Sequence, residues 1–342
     1  MAYTTINKST DYFNTKLYTG TGSTASISGV GFQPDFSWIK VRNNTDNHVI
    51  FDAVRGATKR LEPNATDAEA TISNELTAFN SDGFSIGGAD RVNRNNDTYA
   101  SWNLKANGSG SANTAGSINS TVSANTTSGF SIVSYSGTGS LGTVGHGLGV
   151  KPKMIIVRKR NSAENWLVYN EKLTASNYLL LNGAGASGAD NMWNSTEPTS
   201  SVFTVNAVAG ANGSGGTYIA YCFNDVQGFS KFGSYVGNES TDGTFVYLGF
   251  KPSFILFKKT TGSAGDWQLW DNKRDPINPV EKAIHPNANG GASADQDIDF
   301  LSNGFKLRSN QSHLNADGVV FIYMAFAEAP LVGTNGVTAK AR

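Results

Sequence analysis

Short apolar runs of four to eight residues, rich in Ile, Val, Phe, Tyr and Trp, alternate along this chain with clusters of Gly, Asn, Ser and Asp. That is the pattern of strands and turns. No stretch keeps an apolar face at i, i+3, i+4 and i+7 beyond about three turns. The best helical candidate, Asp67 to Ala78, contains Thr71, Ile72 and Thr77, whose branching at Cβ disfavours a helix. Val246-Tyr247-Leu248 and Phe203-Thr204-Val205 alternate as half-buried strands do. Met154 to Val157 and Phe254 to Phe257 are apolar at every position, which predicts cover on both faces, supplied by packing between modules.

One string is written three times. Gly31-Phe32-Gln33-Pro34-Asp35-Phe36-Ser37-Trp38-Ile39-Lys40 returns from Gly149 to Arg158 around Pro152, and again from Gly249 to Lys258 around Pro252. Proline fixes φ and lacks a donor, so it suits the start of a strand. A Tyr before a Gly turn precedes each copy, at Tyr18, Tyr135 and Tyr235. An aromatic strand follows each, ending at Phe51, Tyr169 and Trp270. A third strand signal comes at Phe84, Phe203 and Phe305, and each unit closes on an aromatic run starting at Tyr99, Tyr218 and Phe321. Repeat intervals of about 100 residues are the size of a small domain and not of a solenoid unit. The expected architecture is therefore all-β, with three tandem related β-sandwich modules of jelly-roll or lectin-like type. The boundaries read as an N-terminal arm over 1–11, module one over 12–106, a linker and entry strand over 107–127, module two over 128–226, module three over 227–330 and a C-terminal tail over 331–342. Ala106 to Thr114, low in complexity, is the clearest linker. The two polar ends read as arms that order on a neighbouring molecule.

Composition narrows function. Lys+Arg and Asp+Glu are both 27, so the formal net charge is zero. Such a chain has no large electrostatic reason to bind nucleic acid or an anionic membrane. It has no apolar segment long enough to span a bilayer, and its N-terminus lacks the basic start and apolar core of a secretory signal. A single cysteine, Cys222, excludes an internal disulfide and sits in an aromatic run as a small buried hydrophobe.

Candidate chemistry is sparse. His48, His146, His285 and His313 have no second ligand at zinc spacing. Val144-Gly145-His146-Gly147-Leu148-Gly149 looks like a phosphate loop but leads into a strand and lacks the Lys-Ser/Thr ending, so it reads as a turn. Asp295, Asp297 and Asp299 would share one face of a strand, with Ile298 and Phe300 on the other, and form the one weak candidate for a hard cation. The cluster has no counterpart in the other two modules. Glu171, Glu197 and Asp190 are available for a glycosidase pair, but spacing alone does not bring them together. Trp193, among polar loop residues and without an equivalent in the other modules, is the candidate for stacking on a sugar. No catalytic residue and no cofactor are expected, and the chain reads as a non-enzyme.

Thr126 to Gly139, Gly145 to Val157, Tyr218 to Phe223 with Gly228 to Tyr235, and Tyr323 to Leu331 resemble a repeat module of virion proteins in tailed bacteriophages, notably marine ones. The likeness covers roughly residues 10 to 330. It implies a structural component of the virion, tail or tail-fibre associated, made in the host cytoplasm and acting through assembly with other virion proteins and attachment to the host surface. It carries over no catalytic residues. Two alternatives stand beside this one: a glycan-binding adhesin that recognises a host-surface glycan, and a capsid-surface fibre or decoration protein. The fully apolar strands, if uncovered within one chain, also imply a homo-oligomer. Neither nucleic acid nor insertion into a membrane belongs to this reading.

Overall fold

The computed structural model describes residues 3–333, the side chains of Asp295 and Gln296 excepted. The protein is all-β, with 43% of residues in strands and 5% in helix. The first group of strands comprises β1 (Phe13–Thr19), β2 (Ala25–Ser28), β3 (Phe36–Val41), β4 (Val49–Asp52), β5 (Lys59–Arg60), β6 (Ala70–Thr71), β7 (Leu76–Asn80), β8 (Gly83–Ile86) and β9 (Thr98–Leu104). The second comprises β10 (Ser111–Asn113), β11 (Ser120–Asn125), β12 (Phe130–Ser136), β13 (Gly142–Gly145), β14 (Met154–Lys159), β15 (Trp166–Asn170), β16 (Leu179–Leu180), β17 (Val202–Val205) and β18 (Thr217–Phe223). The third comprises β19 (Ser230–Val236), β20 (Phe245–Tyr247), β21 (Phe250–Lys259), β22 (Gln268–Asp271), β23 (Val280–Ala283), β24 (Ser293–Leu301), β25 (Gly304–Leu307) and β26 (Val320–Pro330). One-turn helices precede the last strand of each group, at Asp90–Asn93, Ala209–Asn212 and Ser312–Asn315.

The same antiparallel order occurs in each group. It runs β1-β9-β3-β4 in the first, β12-β18-β14-β15 in the second and β19-β26-β21-β22 in the third. A second sheet lies over each, built on β2-β8-β7, β13-β17 and β20-β25-β24-β23. Alternation along the Pro-initiated strands explains their continuous apolarity. Ile39 and Val41 face a core under the first outer sheet, Ile155 and Val157 one under the second, and Ile255 and Phe257 one under the third. The intervening residues, Phe36, Trp38, Met154, Ile156, Phe254 and Leu256, all enter a fourth core that the three inner sheets share. An apolar void of about 30 Å³ remains inside it, lined by residues of all three groups. A space of that size without polar lining stays dry. Pro252 falls within β21, at a register shift in its pairing with β26, where a missing donor is tolerated.

Each signature Tyr now has a physical role. Tyr18, Tyr135 and Tyr235 donate their hydroxyls to the carbonyls of Val92, Ala211 and Leu314 in the one-turn helices, at 2.8, 2.6 and 2.8 Å. Each ring stacks on the first aromatic of the closing strand, Tyr99, Tyr218 or Phe321. The helices end on Asn93, Asn212 and Asn315, whose side-chain oxygens accept from Thr21, Thr138 and Asn238 N–H after the Gly turn.

As its Cβ branching predicts, Asp67 to Ala78 forms no helix and contributes β6 and the start of β7. Other expectations need correction. Most of the expected linker over 107–127 is folded, since β10 and β11 extend the second inner sheet and Ile118 is buried in the outer core of that group. Backbone pairing asks nothing of side-chain hydrophobicity, so a Ser/Ala/Asn-rich segment can fill an edge. From Tyr3 onward the N-terminal arm, expected to order on a neighbour, docks on its own chain. Tyr3 donates its hydroxyl to Gly249 O and Thr4 to Gln227 O, at 2.7 Å each, and Ile6 is buried in the shared core. Residues 334–342 of the expected tail lie outside the described residues. Ile6→Ala is expected to cost about 2–5 kcal/mol, the range for truncating a buried Ile, measured as a shift of the denaturant midpoint. A change within 0.5 kcal/mol, typical of surface substitutions, would show that the arm contributes nothing.

Candidate functional site

Buried polar contacts recur along the three seams where one group of strands meets the next. They are repeated by position. At the head of the second aromatic strand, His48, Trp166 and Trp267 occupy equivalent places. Trp166 Nε1 donates to Glu62 O at 2.9 Å, Trp267 Nε1 to Leu180 O at 2.8 Å, and His48 Nε2 lies 3.1 Å from His285 O. His48 Nδ1 accepts from Trp38 Nε1 at 2.9 Å, so its proton sits on Nε2. Group two thus donates to group one, group one to group three and group three to group two. The contact is head-to-tail and closes after three steps.

A buried cation repeats the same circuit. Lys40, Arg158 and Lys258 are fully buried. Lys40 Nζ donates to Asn289 O, Arg158 Nη2 to Thr66 O and Asp67 O, and Lys258 Nζ to Ala184 O and Gly185 O. These carbonyls lie four or five residues past Glu62, Leu180 and His285. Burial lowers both lysines to about 8 and Arg158 to about 10. Backbone bonds close the clasps, for example Glu69 N to Arg160 O, Ser187 N to Thr260 O and Ala292 N to Arg42 O.

Two seams carry a further buried ion pair. Asp52 meets Arg55 Nε at 2.5 Å and accepts the Tyr221 hydroxyl at 2.7 Å. Asp271 meets Arg274 Nε at 2.5 Å and accepts Trp102 Nε1 at 3.0 Å. Burial alone would lower the Arg55 pKa, but the Asp52 charge, with Tyr221 and Glu69 beside it, holds it above the ordinary value. At the third seam the corresponding residues are Asn170, Leu173 and Met324, and Asn170 Nδ2 has no hydrogen-bond partner. The ring thus carries this buried ion pair at two joints and an uncharged Asn170 at the third.

His48 supplies a pH test. Burial first, and then the Lys40 charge, depress its pKa well below 6.5. A group with a depressed folded-state value contributes stability that is complete above its unfolded value and fades as pH falls below it. Stability should therefore decline below pH 6.5, and less steeply in His48→Gln, as read from chemical unfolding at stepped pH. His146, also buried and lowered, leaves a residual slope in the variant.

The residues singled out from sequence do not converge. Trp193 is only 2% exposed and packs edge-on against Tyr169 in the second outer core. That corrects its assignment as a sugar contact, because the ring face points inward. Asp297 and Asp299 do lie on β24, with Ile298 and Phe300 on the buried side. Asp299 is taken by Arg308 at 2.5 Å, the Asp295 side chain lies outside the described residues, and among the described residues no three His, Cys, Asp or Glu gather as metal ligands. Glu197 is held by Lys151, Tyr169 and Ala175 N, and Glu171 by Lys153 and Lys172. Such satisfied carboxylates are surface ion-pair members. Cys222 is fully buried and burial pushes its thiol up. A surface depression of about 410 Å³ lies between Tyr3, Lys231 and Tyr247, with Asp225 as the one carboxylate in its lining.

The seam residues escaped sequence reading because the acceptors are backbone carbonyls. The Asn of the one-turn helices was findable, since Asn93, Asn212 and Asn315 each stand six residues before the closing aromatic run.

No curated protein matches the chain. A family model, described as a domain of unknown function (DUF7483), matches residues 8–330. It spans all three groups of strands and the shared core as one unit, and the chain belongs to the DUF7483 family.

Proposed function

We infer that the protein is a structural component of a bacteriophage virion, associated with the tail or its fibres, that acts by assembly and host attachment and not by catalysis. The observation that supports this reading most is the closed ring of three sandwiches round one core. The buried Lys40, Arg158 and Lys258 and the Asp52 and Asp271 carboxylates are spent on clasping neighbouring groups, and Glu171 and Glu197 are ion-paired. Such a body is a rigid spacer with three outward sheets, suited to contact with several partners. Zero net charge fits assembly at high local concentration without long-range repulsion. The likeness to phage virion modules in the Tyr-Gly and Gly-x-x-Pro strings supplies the setting.

Antibody raised against the protein and applied to whole phage particles tests this by electron microscopy. Label on the tail or fibres is the expected result. Label on the capsid would favour the decoration reading, and particles free of label in a producing culture would refute a virion role. The adhesin alternative loses its aromatic candidate with the burial of Trp193. The homo-oligomer likewise loses its first argument, because the apolar strands are covered within one chain.

A further inference from the structure

We propose that the surface depression between the N-terminal arm and the third group of strands is a binding site for a neutral sugar, the terminal unit of a glycan. Such a site would serve the attachment role inferred above, and rests on that reading only for the source of the sugar. The depression measures about 410 Å³, and Tyr3, Asp225, Gln227, Lys231 and Tyr247 are among the residues that line it. That lies within the usual span of small-ligand pockets, about 300–1,000 Å³. Its side chains are not repeated in the other two groups. Tyr247 stands opposite Gly304 in its outer sheet, as Ser28 stands opposite Gly83 and Gly145 opposite Val202, so the three positions correspond. Lys231 corresponds in the same way to Asn14 and Ser131 on the inner sheets. The first and second groups therefore have neither the ring nor the ammonium. Tyr247 is 49% exposed, so its ring serves no core. Gly249, at φ +80°, brings the hydroxyls together. A Cβ there would meet Tyr3 Oη at 2.6 Å and Tyr247 Oη at 3.6 Å, whereas one on the equivalent Gly149 would meet nothing within 4 Å.

Charge and hydrogen bonding say what fits. Asp225 and Lys231 are the charged side chains of the lining and cancel, so net charge draws in neither an anion nor a cation. A sugar hydroxyl both donates and accepts, and the lining offers partners of both kinds. Asp225 Oδ1 accepts from Phe232 N–H at 2.8 Å, which fixes the carboxylate and leaves its second oxygen as an acceptor. Lys231 Nζ donates to Tyr247 O at 3.1 Å and spends there one of its three donors. The same Nζ lies 5.5 Å from the centre of the Tyr247 ring, which steadies the ring against β19. Tyr3 donates to Gly249 O at 2.7 Å, and its hydroxyl oxygen remains able to accept. Gln227 adds an exposed amide. The exposed part of the Tyr247 ring offers apolar area with a polar tip, which suits the C–H face of a pyranose ringed by hydroxyls. A phosphate or other anion would meet the Asp225 carboxylate, and an aliphatic chain would leave these polar groups without partners.

A glycan array of neutral and acidic oligosaccharides, probed with the purified full chain, tests this. Retention on neutral glycans that share a terminal sugar is expected. Titration with the methyl glycoside of that sugar should then show saturable binding. Tyr247→Ala should abolish it with an unchanged unfolding midpoint. Asp225→Asn should weaken it about tenfold, because it trades a charged acceptor for a neutral one while keeping the oxygen that Phe232 N–H needs. Leu141→Ala, at an exposed apolar position of the second group, should bind as the wild type does. A silent array, retention confined to acidic glycans, or binding undiminished in Tyr247→Ala would each overturn the proposal. Label on phage tails together with a silent array would remove the sugar site and leave the virion role standing.

Discussion

Asp52→Ala should destabilise the protein by about 3–5 kcal/mol, the cost of removing one member of a buried ion pair. The substitution leaves the fully buried Arg55 without the carboxylate 2.5 Å from its Nε, and Tyr221 without its acceptor across the seam. Arg55 keeps the carbonyls of Ile50 and Lys59 and a longer contact to Glu69, which moderates the loss without cancelling it. Asn170 provides the internal control. It holds the same place in the second group, fully buried, with no charge beside it to strand. Asn170→Ala should cost only on the order of 1 kcal/mol, the net value of an ordinary hydrogen bond such as the one its Oδ1 receives from Lys172 N. Urea unfolding of the three proteins decides the matter. Equal losses at Asp52 and Asn170 would mean that the seam pair is not what the geometry makes it.

Residues 128–226, expressed alone, should not fold as a soluble monomer. Its inner sheet would expose Phe130, Ile132, Met154, Ile156, Trp166, Val168, Tyr221 and Phe223, all buried in the intact protein. At about 2 kcal/mol for each side chain, these eight account for on the order of 16 kcal/mol. A typical domain has a total stability of about 5–15 kcal/mol. The loss therefore exceeds what the outer core of the fragment can supply. Dispersed amide resonances with a monomer mass would contradict this expectation. Aggregation, or a chain that binds a hydrophobic dye without a cooperative transition, agrees with it.

Local chemistry was legible in the sequence, and assembly was not. Met154 to Val157 and Phe254 to Phe257 declared two covered faces because period-two alternation has no other use for unbroken apolarity. Tyr18, Tyr135 and Tyr235 marked a turn because each anchors a one-turn helix through its hydroxyl. The closing of the ring left no such mark. Trp166 and Trp267 look like ordinary strand aromatics, and the carbonyls of Glu62 and Leu180 that receive their N–H groups belong to any residue type. Trp193 was misread for a related reason. Its polar neighbours suggest a surface loop, whereas the indole turns inward onto Tyr169. The Ala106 to Thr114 stretch looked like a tether because its side chains are small. Part of it is held by main-chain pairing, which composition does not report.

The most direct test of a single body closed round one core is scanning calorimetry of the intact chain. One transition is expected, with the calorimetric enthalpy equal to the van't Hoff enthalpy, because no group of strands keeps its inner face covered once another opens. Three resolved transitions, or a calorimetric enthalpy near three times the van't Hoff value, would mean that the sandwiches melt independently and that the shared core does not bind them.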